Sequence, residues 1–572
     1  MTSLTAGSSV PTFLNDVAKS RLFWPLVLLV LAVSVRMSPL WQVARFDELY
    51  HVLAAEGWLA EGRPAIGTGE YWRAYLFTVL IAYFFDLFGT TIEVARLPSI
   101  IAGSLLVASV FVWTRARAGV LAAWIAALLL CFSPLEIAYS HFTRFYVLQA
   151  LLFWLGSTAL FKLVTAPGTD ARESENRVDG SARRSAPILI TAALLCFGVA
   201  LHLQITTLIG LMGLAAWLAF GVLLPRLSRQ PISARLPWIA ASAALAVVVA
   251  IVALTTGFAA DLLARYRVAE TWAQAEADNV WYYVLLLLRH HPILWMFTPA
   301  ALVVSFLANR KTTWLCASVF VIGFVLFSFG GMKGYRFIYF IMPFLFVIWG
   351  IALQAVAGSI KRHCLKAGET ATAPLLARLR MPASCCGLFA VALVAAAAIG
   401  PPLARSAAIL AGLTDTPLKL DDRWPEVSEA VKPWLTADRV VVSDSELHGL
   451  YYLGRLDFAV SRTALAGTSG NGPFSYDHRT GVSFANNAES MALIMDCFPR
   501  GLIVLTEDYW TREYSENSAL AGFVAQRTTP VALPERFAMR ALIWDGLPPE
   551  RASACQPVYD ARMPVTYARG SR

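Results

Sequence analysis

The chain has 572 residues, of which 57% are hydrophobic and only 15% charged, with a formal net charge of +9. A soluble domain carries about 25% charged residues, so this composition excludes an ordinary water-soluble protein. The basic excess sits in short segments between long apolar stretches and forms no Lys/Arg stripe, which excludes a nucleic-acid surface and points to membrane-flanking loops.

In chain order, the apolar run from Leu22 to Val35 follows Lys19 and Arg21, with no small-residue cleavage site before Trp41. It reads as a first transmembrane helix and not as a cleaved signal. Further spans are predicted near 97–113, 118–133, 145–163, 187–201, 204–224, 237–257, 292–308, 313–331, 337–357 and 386–411. The total is about eleven membrane-spanning helices. With the N-terminus in the cytoplasm, Arg115 and Arg117, then Arg172 to Arg184, Arg226 to Arg235, Arg310 with Lys311, and Lys361 to Arg380 all fall on one side. That is the bias expected of cytoplasmic loops. The apolar segment from Ala74 to Gly89 would invert this order if it crossed, and its roughly 16 residues reach only about 24 Å as a helix. It is therefore predicted to be an interfacial or re-entrant helix on the outer face.

The last 160 or so residues leave this pattern. The segment 439–454 (RVVVSDSELHGLYYLG) reads strand, turn, helix; 501–524 repeats the order, and 536–545 is a further strand. Alternation of this kind predicts a soluble α/β domain over 412–572, behind a membrane domain over 1–411. Cys497 and Cys555 lie in this tail; they would pair in an oxidising compartment or else stand as two thiols.

Four segments hold residue types suited to chemistry. The outer loop after the first helix carries the adjacent carboxylates Asp47 and Glu48. Neighbours on a helix point about 100° apart, so one would face a cavity while the other bonds within the loop. A plain N-capping acidic pair is the alternative. The segment 133–161 brings Glu136, Ser140, His141, Arg144 and Tyr146, and the turn GGMKGYRF brings Lys333 and Arg336 to the mouth of an apolar helix containing Pro343. Arginine offers phosphate a two-point fork, and an apolar groove at the same depth would suit a lipid chain. The aromatic-rich loop 258–291, with Glu270, Trp272 and His290–His291, has the length of a substrate-covering loop.

A first helix followed by an Asp-Glu pair in a large outer loop resembles the GT-C glycosyltransferases. The organisation is most similar to that of the bacterial aminoarabinose transferases of lipid A and the protein O-mannosyltransferases. The resemblance implies a polytopic GT-C-like catalytic domain and a periplasmic tail, in which YYLGRLDF (451–458) looks like part of the outer domains of bacterial members. It implies Asp47 as the catalytic carboxylate with Glu48 beside it, and Glu136, His141, Arg144, Tyr146, Lys333 and Arg336 as substrate-binding residues. The implied donor is a polyprenyl-phosphate-linked sugar. The acceptor would be a glycolipid, envelope glycan or protein at the outer face of the bacterial inner membrane, with inversion at the anomeric carbon. Many members carry an Asp where this chain has Gln149, which leaves a second carboxylate and a bound divalent metal open. The competing reading is a transporter or flippase of a lipid-linked envelope intermediate. It predicts carboxylates deep within spans and internal symmetry, neither of which the sequence shows.

Overall fold

The computed structural model describes residues 22–38, 42–165, 180–228, 254–268, 274–369, 400–409, 423–460, 473–506, 518–533, 538–546 and 555–563, with a few isolated positions between them. The chain forms two compact units. One holds the residues up to Ser38, Ser99–His141 and Phe145–Pro417; the other holds Pro39–Pro98, Phe142–Arg144 and Leu418–Arg572.

Among the described residues, six helices are long and apolar enough to cross a bilayer: Ile92–Ala118, Tyr146–Thr165, Ala186–Leu203, Thr207–Leu227, Arg310–Phe329 and Tyr335–Ile360. Two bent pairs, Val120–Phe132 with Pro134–Ser140 (59°) and Tyr282–His290 with Pro292–Ala308 (112°), raise the number to eight. The protein is thus a multi-pass membrane protein. These eight coincide with eight of the predicted spans. The predicted spans 237–257 and 386–411 lie largely outside the described residues. The predicted first span contains the 14-residue helix Phe23–Arg36, about 21 Å long at 1.5 Å per residue. The bend in the first pair falls at Ser133–Pro134, where proline opens the second helix at a position whose N–H needs no partner.

The second unit combines the segment after the first helix, Pro39–Pro98, with the tail. Helix Phe46–Glu61 ends on Gly62, whose φ of 71° is a left-handed cap that glycine adopts without strain. A short antiparallel hairpin, Ala65–Ile66 against Gly69–Glu70, follows it. The segment predicted to lie at the interface forms the helix Tyr75–Phe88. Its Phe77, Thr78, Ile81, Ala82 and Phe85 are buried, while Leu76, Tyr83, Leu87 and Phe88 are exposed.

The tail is built on an eight-stranded mixed sheet in the spatial order 468–469, 474–477, 483–485, 458–460, 440–443, 500–506, 539–545 and 529–530. The central strand Val440–Ser443 pairs in parallel with Phe458–Val460 and with Arg500–Thr506, and Met539–Asp545 closes antiparallel on the latter. Val440, Val442, Phe458, Ile503 and Leu505 meet Met491, Ile494, Leu520 and Val524 of the covering helices in one core. Parallel strands buried on both faces read as continuous apolar runs, which explains the VVV and LIVL segments. Cys497 and Cys555 are disulfide-bonded and tie the helix Ala488–Cys497 to the helix that follows Cys555.

Candidate active site

In the second unit, the chain enters the helix Phe46–Glu61 through Arg45, whose extended backbone makes it the N-cap. Glu48 stands three positions on and folds back, its Oε2 accepting from the Arg45 N–H at 2.8 Å. This is the reciprocal half of a capping box. The same carboxylate takes a two-point fork from Arg96, Nε to Oε1 at 3.0 Å and Nη2 to Oε2 at 2.9 Å, and a fourth bond from the Thr143 N–H at 2.8 Å. Burial pushes the Glu48 carboxyl up, but the Arg96 guanidinium and the hydrogen bonds outweigh it and hold the group below its ordinary range. Glu48 is therefore held ionised by four hydrogen bonds.

Asp47, one residue earlier, is half-buried. Its backbone carbonyl accepts from Arg144 Nη1 at 3.0 Å, and the same nitrogen donates to Tyr71 Oη at 3.2 Å. Tyr71 is stacked on Tyr50, with ring centroids 4.6 Å apart. The structure thus brings Asp47, Glu48 and Arg144 together.

In the membrane unit, the short helix Pro134–Ser140 is wholly buried and presents Glu136, whose Oε1 accepts from Tyr335 Oη at 2.6 Å. Tyr139 of the same helix stacks obliquely against Tyr335 and Tyr339, and its hydroxyl accepts from the Arg336 N–H at 3.1 Å. Ser140 accepts from Arg36 Nε at 3.0 Å, and Arg36 Nη2 donates to Leu130 O at 3.1 Å. His141 Nε2 meets the Arg36 carbonyl. Arg36 thereby fixes both sides of the bend at Ser133–Pro134. Arg336 is half-buried, its guanidinium 5.1 Å over the Phe337 ring. Lys333 is buried, and its ammonium caps the preceding helix by donating to Ser328 O at 2.6 Å. Tyr146 is buried beside Phe145 and Tyr139.

Gln149 is buried and donates to Thr207 Oγ1 at 2.9 Å, joining two helices. Among the described residues no three His, Cys, Asp or Glu side chains converge on one point. In the predicted covering loop, Glu270 and Trp272 lie outside the described residues, whereas Tyr283 donates to Gly334 O at 3.2 Å and so joins it to the Lys333–Arg336 turn.

Sequence reasoning missed Arg36, Tyr71, Arg96 and Tyr335. Each of the two arginines stands at the end of an apolar run, where a snorkelling anchor looks the same in sequence.

No family model and no curated protein sequence matches the chain. Solved structures do. ArnT from Cupriavidus metallidurans bound to undecaprenyl phosphate superposes with a TM-score of 0.58 at 15% identity, over 92% of this chain and 98% of that one. The apo state of the same protein gives 0.58 at 17% identity, over 93% and 99%. The archaeal oligosaccharyltransferase AglB from Archaeoglobus fulgidus, in complex with an inhibitory peptide and a dolichol-phosphate, gives 0.58 at 15% identity, over 89% and 73%. Taken with the membrane helices, the outer loop and the tail described above, this likeness identifies the fold as that of the GT-C membrane transferases.

Proposed function

We propose that this protein is a glycosyltransferase that moves a sugar from a polyprenyl phosphate to an acceptor at the outer face of the bacterial inner membrane. The carrying observation is the position of the half-buried Asp47, beside Glu48 and with its carbonyl on Arg144, at the start of one helix. Four hydrogen bonds engage Glu48, while the half-buried Asp47 sits in the first turn of a helix whose start is fixed on both sides. In this reading Asp47 is the general base that takes the acceptor hydroxyl's proton as its oxygen attacks the anomeric carbon. A single displacement inverts that carbon, and the lipid phosphate leaves carrying the growing negative charge.

Arg336 would hold that phosphate, with Lys333 adding positive charge at the same turn. Glu136, His141, Arg144 and Tyr146 would position donor and acceptor. An apolar groove of about 420 Å³ lined by Leu288, Trp295, Met296, Leu302, Phe320 and Phe324 supports a lipid-linked substrate. The positive-inside bias and the Cys497–Cys555 disulfide support a periplasmic tail. Two of the similar solved structures, ArnT and AglB, are bound to undecaprenyl phosphate and a dolichol-phosphate respectively, which supports a lipid-phosphate donor.

The test is Asp47→Asn in a transfer assay on membranes supplied with labelled polyprenyl-phosphate sugars. A positioned base contributes about 10²–10⁴-fold, so turnover falls by at least about 10²-fold with protein level unchanged. Wild-type turnover in Asp47→Asn would remove the chemical basis of the assignment. Mass spectrometry of envelope glycolipids with and without the gene identifies the acceptor.

A further inference from the structure

The mechanism above needs Asp47 held still, and its helix starts at Phe46, two residues after Ala44. Both backbone groups of Ala44 are gripped by the tail: its N–H donates to Tyr452 Oη at 3.0 Å, and its carbonyl accepts from His448 Nε2 at 2.8 Å. A carbonyl only accepts, so Nε2 carries the proton. The Ser445 hydroxyl then donates to Nδ1 at 2.7 Å, and both ring nitrogens of a neutral imidazole are satisfied. Trp424, fully buried, lies nearly parallel to the His448 ring at 5.2 Å and to the Tyr452 ring at 6.2 Å, which fixes the orientation of both.

A second grip lies further along the same loop. The Glu70 N–H donates to His478 O at 3.1 Å, and Thr68 Oγ1 donates to Gly481 O at 3.2 Å. A Cβ at Gly69 would meet the Gly481 nitrogen at 2.5 Å, so hairpin and turn approach at backbone distance. Arg479 lies 5.1 Å over the Tyr50 ring, and Tyr50 stacks on the Tyr71 whose hydroxyl accepts from Arg144, the residue on the Asp47 carbonyl.

We infer that the C-terminal domain is a clamp on the catalytic loop, with His448 and Tyr452 as positioning residues that set Asp47 through the backbone of Ala44. The inference rests on the reading of Asp47 as the base. It assigns the tail a role in turnover that does not depend on touching substrate. Burial pushes the His448 pKa down to about 4, so across the neutral range the ring is neutral, with Nε2–H on Ala44 and Nδ1 accepting from Ser445.

The full-length protein in detergent is compared by hydrogen exchange as wild type, Tyr452→Phe, His448→Leu and His448→Gln. Tyr452→Phe removes one hydroxyl and nothing else. One lost hydrogen bond corresponds to about five-fold faster opening, so the Ala44 amide should exchange about five-fold faster while 500–506 stays protected. His448→Leu should loosen the same segment, and His448→Gln, whose amide can reach the carbonyl, should restore it. With the polyprenyl-phosphate sugar that the wild type consumes, kcat should fall about ten-fold or more in the two loosened variants and recover in His448→Gln, with donor KM unchanged. Unchanged exchange at Ala44 in Tyr452→Phe overturns the clamp. Faster exchange at Ala44 with wild-type kcat overturns its role in positioning. A wild type that consumes no such donor, or an active Asp47→Asn, overturns the proposed function instead, and the exchange result still decides whether the tail holds the loop.

Discussion

Arg96 meets Glu48 at two points, Nε on Oε1 at 3.0 Å and Nη2 on Oε2 at 2.9 Å, with side-chain exposures of only 2% and 1%. A buried pair of this kind adds little net stability over a well-packed apolar pair, but removing one partner strands a charge. The pair also ties the first turn of the helix Phe46–Glu61 to the first turns of the helix Ile92–Ala118.

Breaking the pair from either side should therefore cost about 3–5 kcal/mol locally. Arg96→Met leaves the Glu48 carboxylate with two backbone N–H groups, and Glu48→Gln leaves the Arg96 cation unmatched. Both variants should lower the thermal midpoint and expose 46–61 to hydrogen exchange, whereas Asp47→Asn should do neither. A Glu48→Gln protein with wild-type midpoint and exchange would show that the loop is held by something else.

What was legible in sequence and what was not follows from distance along the chain. Membrane helices are written in hydropathy, a local property, and eight of the predicted spans coincide with helices or bent pairs. The Asp47–Glu48 pair was visible, but the bonds that hold Glu48 come from Arg96, 48 positions away, and from the Thr143 N–H, 95 away. Tyr335 reaches Glu136 across 199 positions and His448 reaches Ala44 across 404, beyond any periodicity. The packing of the first outer loop with the tail was hidden for the same reason. In the tail the longer strands announced themselves, whereas 458–460 and 483–485, three residues each, are too short to show alternation.

Lys333 and Arg336 should separate in function. Lys333 caps the carbonyls of Phe327 and Ser328, so Lys333→Ala should cost stability, on the order of 1.5–3 kcal/mol for a charged hydrogen bond. Arg336→Ala should leave the thermal midpoint near wild type and weaken donor binding, more than Arg336→Lys, which keeps the charge but loses the fork. Titration with polyprenyl phosphate reads the affinity. Equal affinity in wild type and both Arg336 variants would move the phosphate site elsewhere.

Topology follows from charge bias and is checked without any substrate. Reporter fusions at Glu175, Gln230 and Thr370 should report cytoplasm, and fusions beyond Leu420 should report periplasm. In intact cells Cys497 and Cys555 should resist maleimide until a reductant is added, as a disulfide in an oxidising compartment does. Free labelling without reductant, or a cytoplasmic signal beyond Leu420, would reverse the orientation of the active site.

The last prediction concerns Glu446, buried in the tail near Asp444, Asp477 and Arg479. Burial pushes its carboxyl up to about 8, and the neighbouring carboxylates add to the rise while Arg479 opposes it. A group with a raised folded pKa keeps its proton in the fold after the unfolded chain has lost it. Folding then takes up a proton, and stability falls with rising pH from the unfolded value near 4.5 up to about 8. His448 works the other way: its folded value near 4 lies below the unfolded 6.5, so stability falls as pH drops through that window. The two slopes oppose each other between about 4.5 and 6.5, and above 6.5 Glu446 is the one of the two that contributes. The tail of the wild type should thus lose up to about 1.4 kcal/mol per pH unit between pH 6.5 and 8. Glu446→Gln, which mimics the protonated side chain, should be flat across that range and more stable at its upper end. Hydrogen exchange of 440–443 and 500–506 in the full-length protein, measured at fixed intrinsic rate across the series, reads the difference. Parallel pH dependence in wild type and Glu446→Gln would mean that Glu446 is ionised in the fold and that the rise has been offset by its neighbours.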